Sequence, residues 1–579
     1  MASQKRVLLT NCPRPYPEHP PDRDGMDQYG LRITKHQQLF QVPIEYPFQP
    51  ALHLIARNLG SAQVTVLDGP DRGLLTAELS RKPDLVGISF PTPLTPLALD
   101  AARLARRVAP DAGLVLGGHG VMTVPSPGMD SVEVDGMLKG VAPGSVAFES
   151  ARELGRLAHR VCRGDGVSCV RELLGERPDA PIDATLPPTG LLRPFGLSLV
   201  SPRNMISLAP SLGCSGGCDF CTTGSFFKKR IVLVTPDQAH ASIRNQLRRV
   251  RPGDYAYGVI LDEDLMADRP WFEALGRRLG DDPLVHSTGF TFTTFGSVRT
   301  IGSYDPADLV RWRVNNIWIG VETTFEQTGV GYLERKKEGR DAEVFSRIHG
   351  AGITTCASLI LGWDFHDAES VGRDVDRFLE LEPTSAQVLP LIPVPGTRLW
   401  SRMVDEGRIT PVERWEDVHY YSRLFRYSHF AVDDLWRLED DVERRLYAEQ
   451  GPFFLKMVQV YLRGLGWLRS AHPGLDSMAQ VYRRLLRELR PTLPSVIRFA
   501  PSAAVASKAA AALAEVDGAL GAPSLSQRAK GLALWAYNLL RSDVLGISRP
   551  YQPPTNRTVY RGGRIVESTW GGESWEVRP

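Results

Sequence analysis

The sequence predicts an α/β protein built from a doubly wound N-terminal sheet domain, a partial barrel of six strand-helix units and a mainly helical C-terminal domain. Three observations carry this expectation. Short apolar runs alternate with helix-spaced segments up to residue 138. A Pro-rich and charged stretch then interrupts the alternation, which resumes at Asn204. Beyond Pro411 only long helical patterns remain, until a last β-prone pair of runs around Gly562 and Gly563. A chain of 579 residues also exceeds what one hydrophobic core supports. The expected units are 1–150, 203–411 and 412–579, with 151–202 as a linker.

In the first unit, residues 6–10, 63–67, 85–90, 113–116 and 136–138 read as buried strands, and 50–58 and 97–108 as amphipathic helices. Strands interleaved with helices make a parallel sheet whose ligand lies beyond the carboxyl ends of the strands. Gly117, Gly118 and Gly120 follow the fourth strand, where a backbone can approach a ligand closely. In the second unit the strands are 205–212, 258–261, 289–292, 317–321, 357–361 and 388–391, separated by helical patterns such as 236–250 and 368–381. Six successive units of this kind suggest a barrel with its active residues at the carboxyl ends of the strands. Helices at 432–449, 453–470, 477–490, 503–520 and 526–540 fill the third unit, and TVYRGGRIVEST reads as a closing hairpin.

Composition narrows the function. A hydrophobic content of 42%, a charged content of 23% and a formal net charge of +2 are ordinary for a globular protein and point away from a nucleic-acid partner. No run of about 18 apolar residues suggests a transmembrane segment, and the N-terminus lacks a signal-peptide pattern, so the expected location is cytoplasmic. Seven cysteines, three of them within eight residues, argue for a metal site rather than a disulfide framework. Cys162 and Cys169 have no ligand pattern of their own and read as structural, and Cys356 reads as a buried strand cysteine rather than a reactive one.

The run LGCSGGCDFC places Cys214, Cys218 and Cys221 as Cys-x3-Cys-x2-Cys directly after the first strand of the second unit. Three thiolates suit an iron-sulfur cubane and leave one iron without a protein ligand. A structural zinc site is the competing reading, but it would need a second pair of ligands, and none stands out.

This motif resembles the signature of the radical S-adenosylmethionine (SAM) superfamily. The resemblance implies a [4Fe-4S] cluster on Cys214, Cys218 and Cys221, with SAM on the open iron as the source of a 5'-deoxyadenosyl radical. It extends from Asn204 to Ile409. Phe220 matches an aromatic placed near adenine; Asp262 and Glu263, in the run ending at Asp264, are similar to the acidic end of the second strand; Glu322, in Gly-Val-Glu-Thr, resembles the GxE motif; Leu361 and Gly362 match the adenine-packing end of the fifth strand. PVPGTRLW, from Pro393, resembles the PxPGT segment of the sixth.

A doubly wound domain of flavodoxin-like or Rossmann type ahead of a TIM-type (β/α)6 radical SAM barrel resembles the cobalamin-binding (B12) subfamily, and this implies cobalamin as a further cofactor. Gly117, Gly118 and His119, in LVLGGHGVMTVP, are similar to its segment after the fourth strand, and Ser89 to the hydroxyl that faces the nucleotide tail. The DxHxxG motif that supplies an axial histidine elsewhere is absent. His19 and His119 read as loop residues rather than cobalt ligands, which leaves the axial ligand open.

The implied activity is methylation of an unactivated carbon of a small-molecule substrate, with an external one-electron reductant of flavodoxin or ferredoxin type as partner. The alternatives are radical cyclisation, ring rearrangement or carbon-carbon coupling, and, from another class, a non-catalytic cobalamin or iron-sulfur sensor. An aromatic-rich stretch at 415–436 and the Gly-Pro-Phe-Phe run at 451–454 resemble segments of relatives that act on hopanoids and other lipids, so a hydrophobic or lipid-like substrate is one option. Helices that simply bury themselves against a barrel are the other.

Overall fold

The computed structural model describes residues 4–17, 44–45, 49–187, 191–192, 204–251, 253–336, 339–471, 475–544 and 555–569. His19 and the end of the expected linker lie outside them. The first sheet is centred on Lys5–Thr10, which pairs in parallel with Ala62–Asp68 on one side and Leu85–Ser89 on the other. Gly113–Gly117 and then Arg160–Val161 continue the parallel pairing outward. The strand order therefore reverses between Lys5–Thr10 and Leu85–Ser89, and a crevice opens at the carboxyl ends at such a switch point. Two buried clusters cover the faces, one around Leu8, Val86 and Ala102, the other around Val7, Leu9 and Val64.

Two expectations fail here for local reasons. Residues 136–138 are not a strand: Asp130 and Glu133 form a reciprocal capping box that starts the helix Ser131–Met137. Most of the expected linker is folded too. Ser145 caps the helix Val146–Leu157, which buries Ala147, Phe148, Ala151 and Leu154, and Asp165 caps the helix Gly166–Leu174. Between them Arg160–Val161 is the sheet's fifth parallel strand. Strand edge and helix face bring Cys162 and Cys169 to a Cα separation of 6.4 Å, where they are joined as a disulfide.

In the second sheet, Met205–Leu208, Tyr257–Ile260, Thr291–Ser297, Val314–Glu322, Thr354–Leu361 and Ser385–Pro390 lie parallel and in chain order. Thr185–Leu186 adds an antiparallel strand at the outer edge. The expected run 205–212 divides after Leu208, because Ser211–Leu212 turns away to pair with Ile231–Val232. Ile317, Ile319, Val321 and Leu359 are at most 1% exposed and pack into one core with the C-terminal side chains Leu435, Leu455, Val458 and Tyr461. The aromatic stretch belongs to this packing: Trp415 is fully buried, and the Tyr427 hydroxyl donates to Leu391 O at 2.8 Å. Among the described residues no helix is long and apolar enough to cross a membrane.

The final hairpin, Asn556–Arg561 with Arg564–Ser568, joins the first unit rather than the C-terminal helices. Asn556–Arg561 pairs antiparallel with Ala62–Asp68 and covers what would otherwise be an open sheet edge. A buried polar chain fixes it there. Tyr560 Oη lies 2.7 Å from His53 Nδ1, and His53 Nε2 lies 2.9 Å from Asp68 Oδ2, whose other oxygen accepts from Gln49 N at 2.6 Å. Tyr560→Phe leaves the shape and removes one buried hydrogen bond of about 1 to 1.5 kcal/mol. Amide hydrogen exchange across 556–561 should speed up about tenfold in this variant; unchanged exchange would mean that the chain does not anchor the hairpin.

Candidate cofactor site

The loop carrying the three cysteines follows the carboxyl end of Met205–Leu208, the first parallel strand of the second sheet. Cys218 is buried, and Cys214 and Cys221 are half-buried. Gly216 N donates to Cys214 Sγ at 3.2 Å, and Gly224 N to Cys221 Sγ at 3.5 Å. A side chain at 216 would put its first carbon 3.3 Å from Cys214 Sγ and 3.9 Å from Cys218 Sγ, so the glycine keeps the space between two thiols open. Burial pushes all three thiols up, Cys218 to about 11. Ligation would therefore release protons. Among the described residues no three His, Cys, Asp or Glu side chains are grouped to hold a single metal ion. A cubane spreads its thiolates over three irons, so the donor set fits a cluster better than a mononuclear site.

The sixth strand's PVPGTRLW segment clamps this loop. Thr397 caps the helix Arg398–Asp405, Leu399 N donates to Asp219 O at 3.0 Å, and Arg398 donates to Gly217 O. Arg402 lies 3.7 Å from the Asp219 carboxylate, which also accepts from the Tyr332 hydroxyl.

The strand-end acids divide into two groups. Asp262 is buried and occupied: Arg230 donates to Oδ2 at 2.8 Å, Ser211 donates to the same oxygen, and Asp264 N donates to Oδ1 at 3.0 Å. Asp262 thus ties neighbouring strand ends together through its own partners. Glu263 is exposed at its side chain, and desolvation by the surrounding chain raises its carboxyl despite the Thr223 hydroxyl. Asp264, beside Thr300 at 3.2 Å, is raised to about 6 by burial. Glu322 adopts a left-handed backbone (φ 62°) at a bulge in the fourth strand, a strained placement of the kind found at ligand sites. Its Oε1 lies 3.1 Å from Lys336 Nζ. Burial works against that ammonium, but Glu322 and Cys218 outweigh it and hold its pKa above the usual lysine value.

Phe220 packs at 5.7 Å, edge to face, against Trp363 and at 6.0 Å against Tyr332. Trp363 Nε1 donates to Glu322 O at 3.3 Å, so one aromatic wall runs from the cysteine loop to the GxE strand end. Leu361 is fully buried in the core. Gly362, at φ +84°, is demanded by the C-terminal unit, since a Cβ there would meet Leu435 Cδ1 at 2.7 Å and the Tyr427 ring at 3.1 Å. Both of these expected SAM contacts therefore have a packing reason for their identity.

At the first sheet's carboxyl end, Ser89 pairs with Gly117 across adjacent strands. No atom outside its chain neighbours lies within 4 Å of the position a Cβ would take at Gly117, whereas at Gly118 (φ +81°) it would strike Ser89 Oγ and Phe90 O at 2.8 Å. A hydroxyl beside this bare turn, at the switch-point crevice, fits a cofactor tail. His119 Nε2 is buried without a hydrogen-bond partner, and desolvation keeps the imidazole neutral. The His119 ring lies 5.2 Å from Phe226, edge to face, in the helix Thr222–Phe227 that follows Cys221. Met122 reaches Gly396 of the clamp. Residues 140–147 dock on the third unit: Ala142 N donates to Val412 O at 2.9 Å, and Trp415 Nε1 to Ala147 O at 2.7 Å.

Two solved structures share this fold. The radical SAM methyltransferase TsrM from Kitasatospora setae, with cobalamin and a [4Fe-4S] cluster bound, aligns at TM-score 0.50 and 14% identity over 83% of this chain and 99% of its own. The cobalamin-dependent SAM radical enzyme OxsB, with aqua-cobalamin and SAM bound, aligns at TM-score 0.50 and 12% identity over 95% and 82%. The chain shares the fold of cobalamin-dependent radical SAM enzymes. An uncharacterized methyltransferase of Pyrococcus horikoshii is 20% identical over 410 residues, 65% of this chain and 82% of that protein. No family model matches.

Within this fold the residues that sequence reasoning missed are Lys336, Trp363, Arg398 and Arg402. The PxPGT match already pointed to the two arginines' neighbourhood, but nothing in the sequence marks Lys336. Asp262→Asn breaks a buried ion pair and should cost about 3 kcal/mol, read as a lowered melting temperature. An unchanged melting temperature would mean that these partners do not hold the strand ends.

Proposed function

We propose that the chain is a cobalamin-dependent radical SAM enzyme that methylates an unactivated carbon of a small molecule. One observation carries the reading most: the cysteine loop, the Glu322–Lys336 pair and the Gly117-Gly118-His119 turn converge, with Phe226 bridging from the loop's helix to His119. Bound there, the cluster and SAM would supply a 5'-deoxyadenosyl radical and cobalamin a methyl group, chemistry that belongs to the cofactors.

The chain's own residues have narrower tasks. Cys214, Cys218 and Cys221 would hold three irons, and the clamp from Arg398 and Leu399 fixes their spacing. Lys336 and Glu322 offer opposite charges to the carboxylate and ammonium ends of an amino acid. Glu263 and Asp264 offer acceptors to ribose hydroxyls, and Phe220 an aromatic edge to adenine. Ser89, Gly117, Gly118 and His119 would line the cobalamin tail and its approach to the barrel. An external one-electron reductant of flavodoxin or ferredoxin type is required, and an oxygen-sensitive cluster suits the cytoplasm.

Anaerobic protein reconstituted with iron, sulfide and cobalamin is expected to release 5'-deoxyadenosine from SAM when reduced, and Cys221→Ser to abolish this with its iron content. Glu322→Gln should raise the Kd for SAM about tenfold, the worth of one charge-assisted hydrogen bond. With substrate, a product heavier by one CH2 supports methylation; a product lighter by two hydrogens would replace it with cyclisation. No 5'-deoxyadenosine under any substrate condition would favour a sensor.

A further inference from the structure

The inner face of the second sheet is the least explained surface in the molecule. Side chains alternate along a strand. On Val314–Glu322, Ile317, Ile319 and Val321 are buried in the core, whereas Asn316 and Trp318, which alternate with them, are half-buried. On Thr291–Ser297, Phe295 is half-buried between the buried Thr294 and Gly296. Phe295 and Trp318 are register partners, and their rings stack at 5.7 Å and 20°. Neither belongs to the contiguous core that takes up nearly every other large apolar side chain of this unit. Two stacked aromatics left partly open in mid-sheet, on the side without helices, offer an apolar patch of paired rings against which a third ring can pack.

The layer beneath is polar. Thr293 and Asn316 are register partners there, and Asn316 Nδ2 donates to Thr293 Oγ1 at 3.3 Å. The Tyr257 hydroxyl bonds to the same Thr293 oxygen, and Thr354 Oγ1 donates to Asn316 Oδ1 at 3.0 Å. One amide N–H of Asn316 is left for a ligand. Beside this floor, Asn315 Nδ2 donates to the hydroxyl oxygen of Tyr461, from the C-terminal helix Phe453–Ala471, at 3.2 Å. Above the rings, four residues along the strand or about 13 Å from Trp318, stands Glu322.

We propose that this inner face binds the substrate, and that the substrate is a flat aromatic molecule with a hydrogen-bonding group at one edge. The edge group meets Asn316 and Thr293, the ring slides against the Phe295–Trp318 stack, and the far edge points toward the cysteine loop. A saturated lipid chain fits poorly, since the layer beneath the rings is polar. The inference rests on the proposed radical chemistry only for which edge reacts.

The test uses reconstituted holoprotein and four probes of similar size, naphthol, naphthalene, the saturated analogue decalol, and decanol, with binding read by equilibrium dialysis. Naphthol should bind at least tenfold more tightly than either saturated probe. Trp318→Leu should weaken naphthol at least tenfold, with iron content as the check on folding. Thr293→Val, a milder change, should weaken naphthol severalfold and leave naphthalene unaffected. Equal binding of naphthol and decalol, tighter binding of decanol, no naphthol binding, or indifference to both variants would overturn the proposal. SAM cleavage by the wild-type protein is scored separately: its failure sinks the radical reading and leaves the probes to decide the pocket.

Discussion

The account depends on how one loop is held. Three thiols on eight residues of chain repel no one and cost little while protonated, but as thiolates around a bulky cluster they need a backbone that cannot drift. The sixth strand supplies the restraint, through Leu399 N on Asp219 O and Arg398 on Gly217 O. First and sixth strands are far apart in the sheet's order, so the loop is stable only if the intervening four strands are in place. Folding of the second unit and presentation of the thiols are thereby one event.

The same loop joins the other units. Its helix meets His119 through Phe226, its clamp meets Met122 through Gly396, and the clamp's Trp400 donates to Lys139 O at 2.8 Å. The C-terminal helices reach the site from the opposite side, where Leu435 and Tyr427 press on Gly362. The final hairpin then returns to the first sheet, tied by Tyr560, His53 and Asp68. With the final hairpin on the first sheet and the C-terminal helices packed on the second, the turn after Gly113–Gly117 stays in contact with the helix that follows Cys221.

Much of this was legible in the sequence, and the reasons differ by element. Cys214, Cys218 and Cys221 are readable because their spacing along the chain is their chemistry. The parallel strands of the second sheet are readable where they are apolar runs, as at 317–321 and 357–361, whereas the third, expected at 289–292, runs over Thr291–Ser297, whose threonines and serine hide it. Residues 136–138 were misread because a short apolar run does not reveal the capping box at Asp130 and Glu133 ahead of it. The helices at 146–157 and 166–174 hid behind Arg and Glu on their exposed faces, although Ser145 and Asp165 are ordinary cap residues. Asp262 looked like Glu263 in sequence; only Arg230 and Ser211, distant along the chain, distinguish the two in the structure. Lys336 and the Phe295–Trp318 stack are products of tertiary structure and carry no local signature.

The central claim is that the open side of the cysteine loop takes SAM on a unique iron. Electron-nuclear double resonance on the reduced, reconstituted protein with SAM labelled at its amino nitrogen tests it most directly. Hyperfine coupling between that nitrogen and the cluster is the predicted result. A reduced cluster whose spectrum is indifferent to labelled SAM would contradict the account.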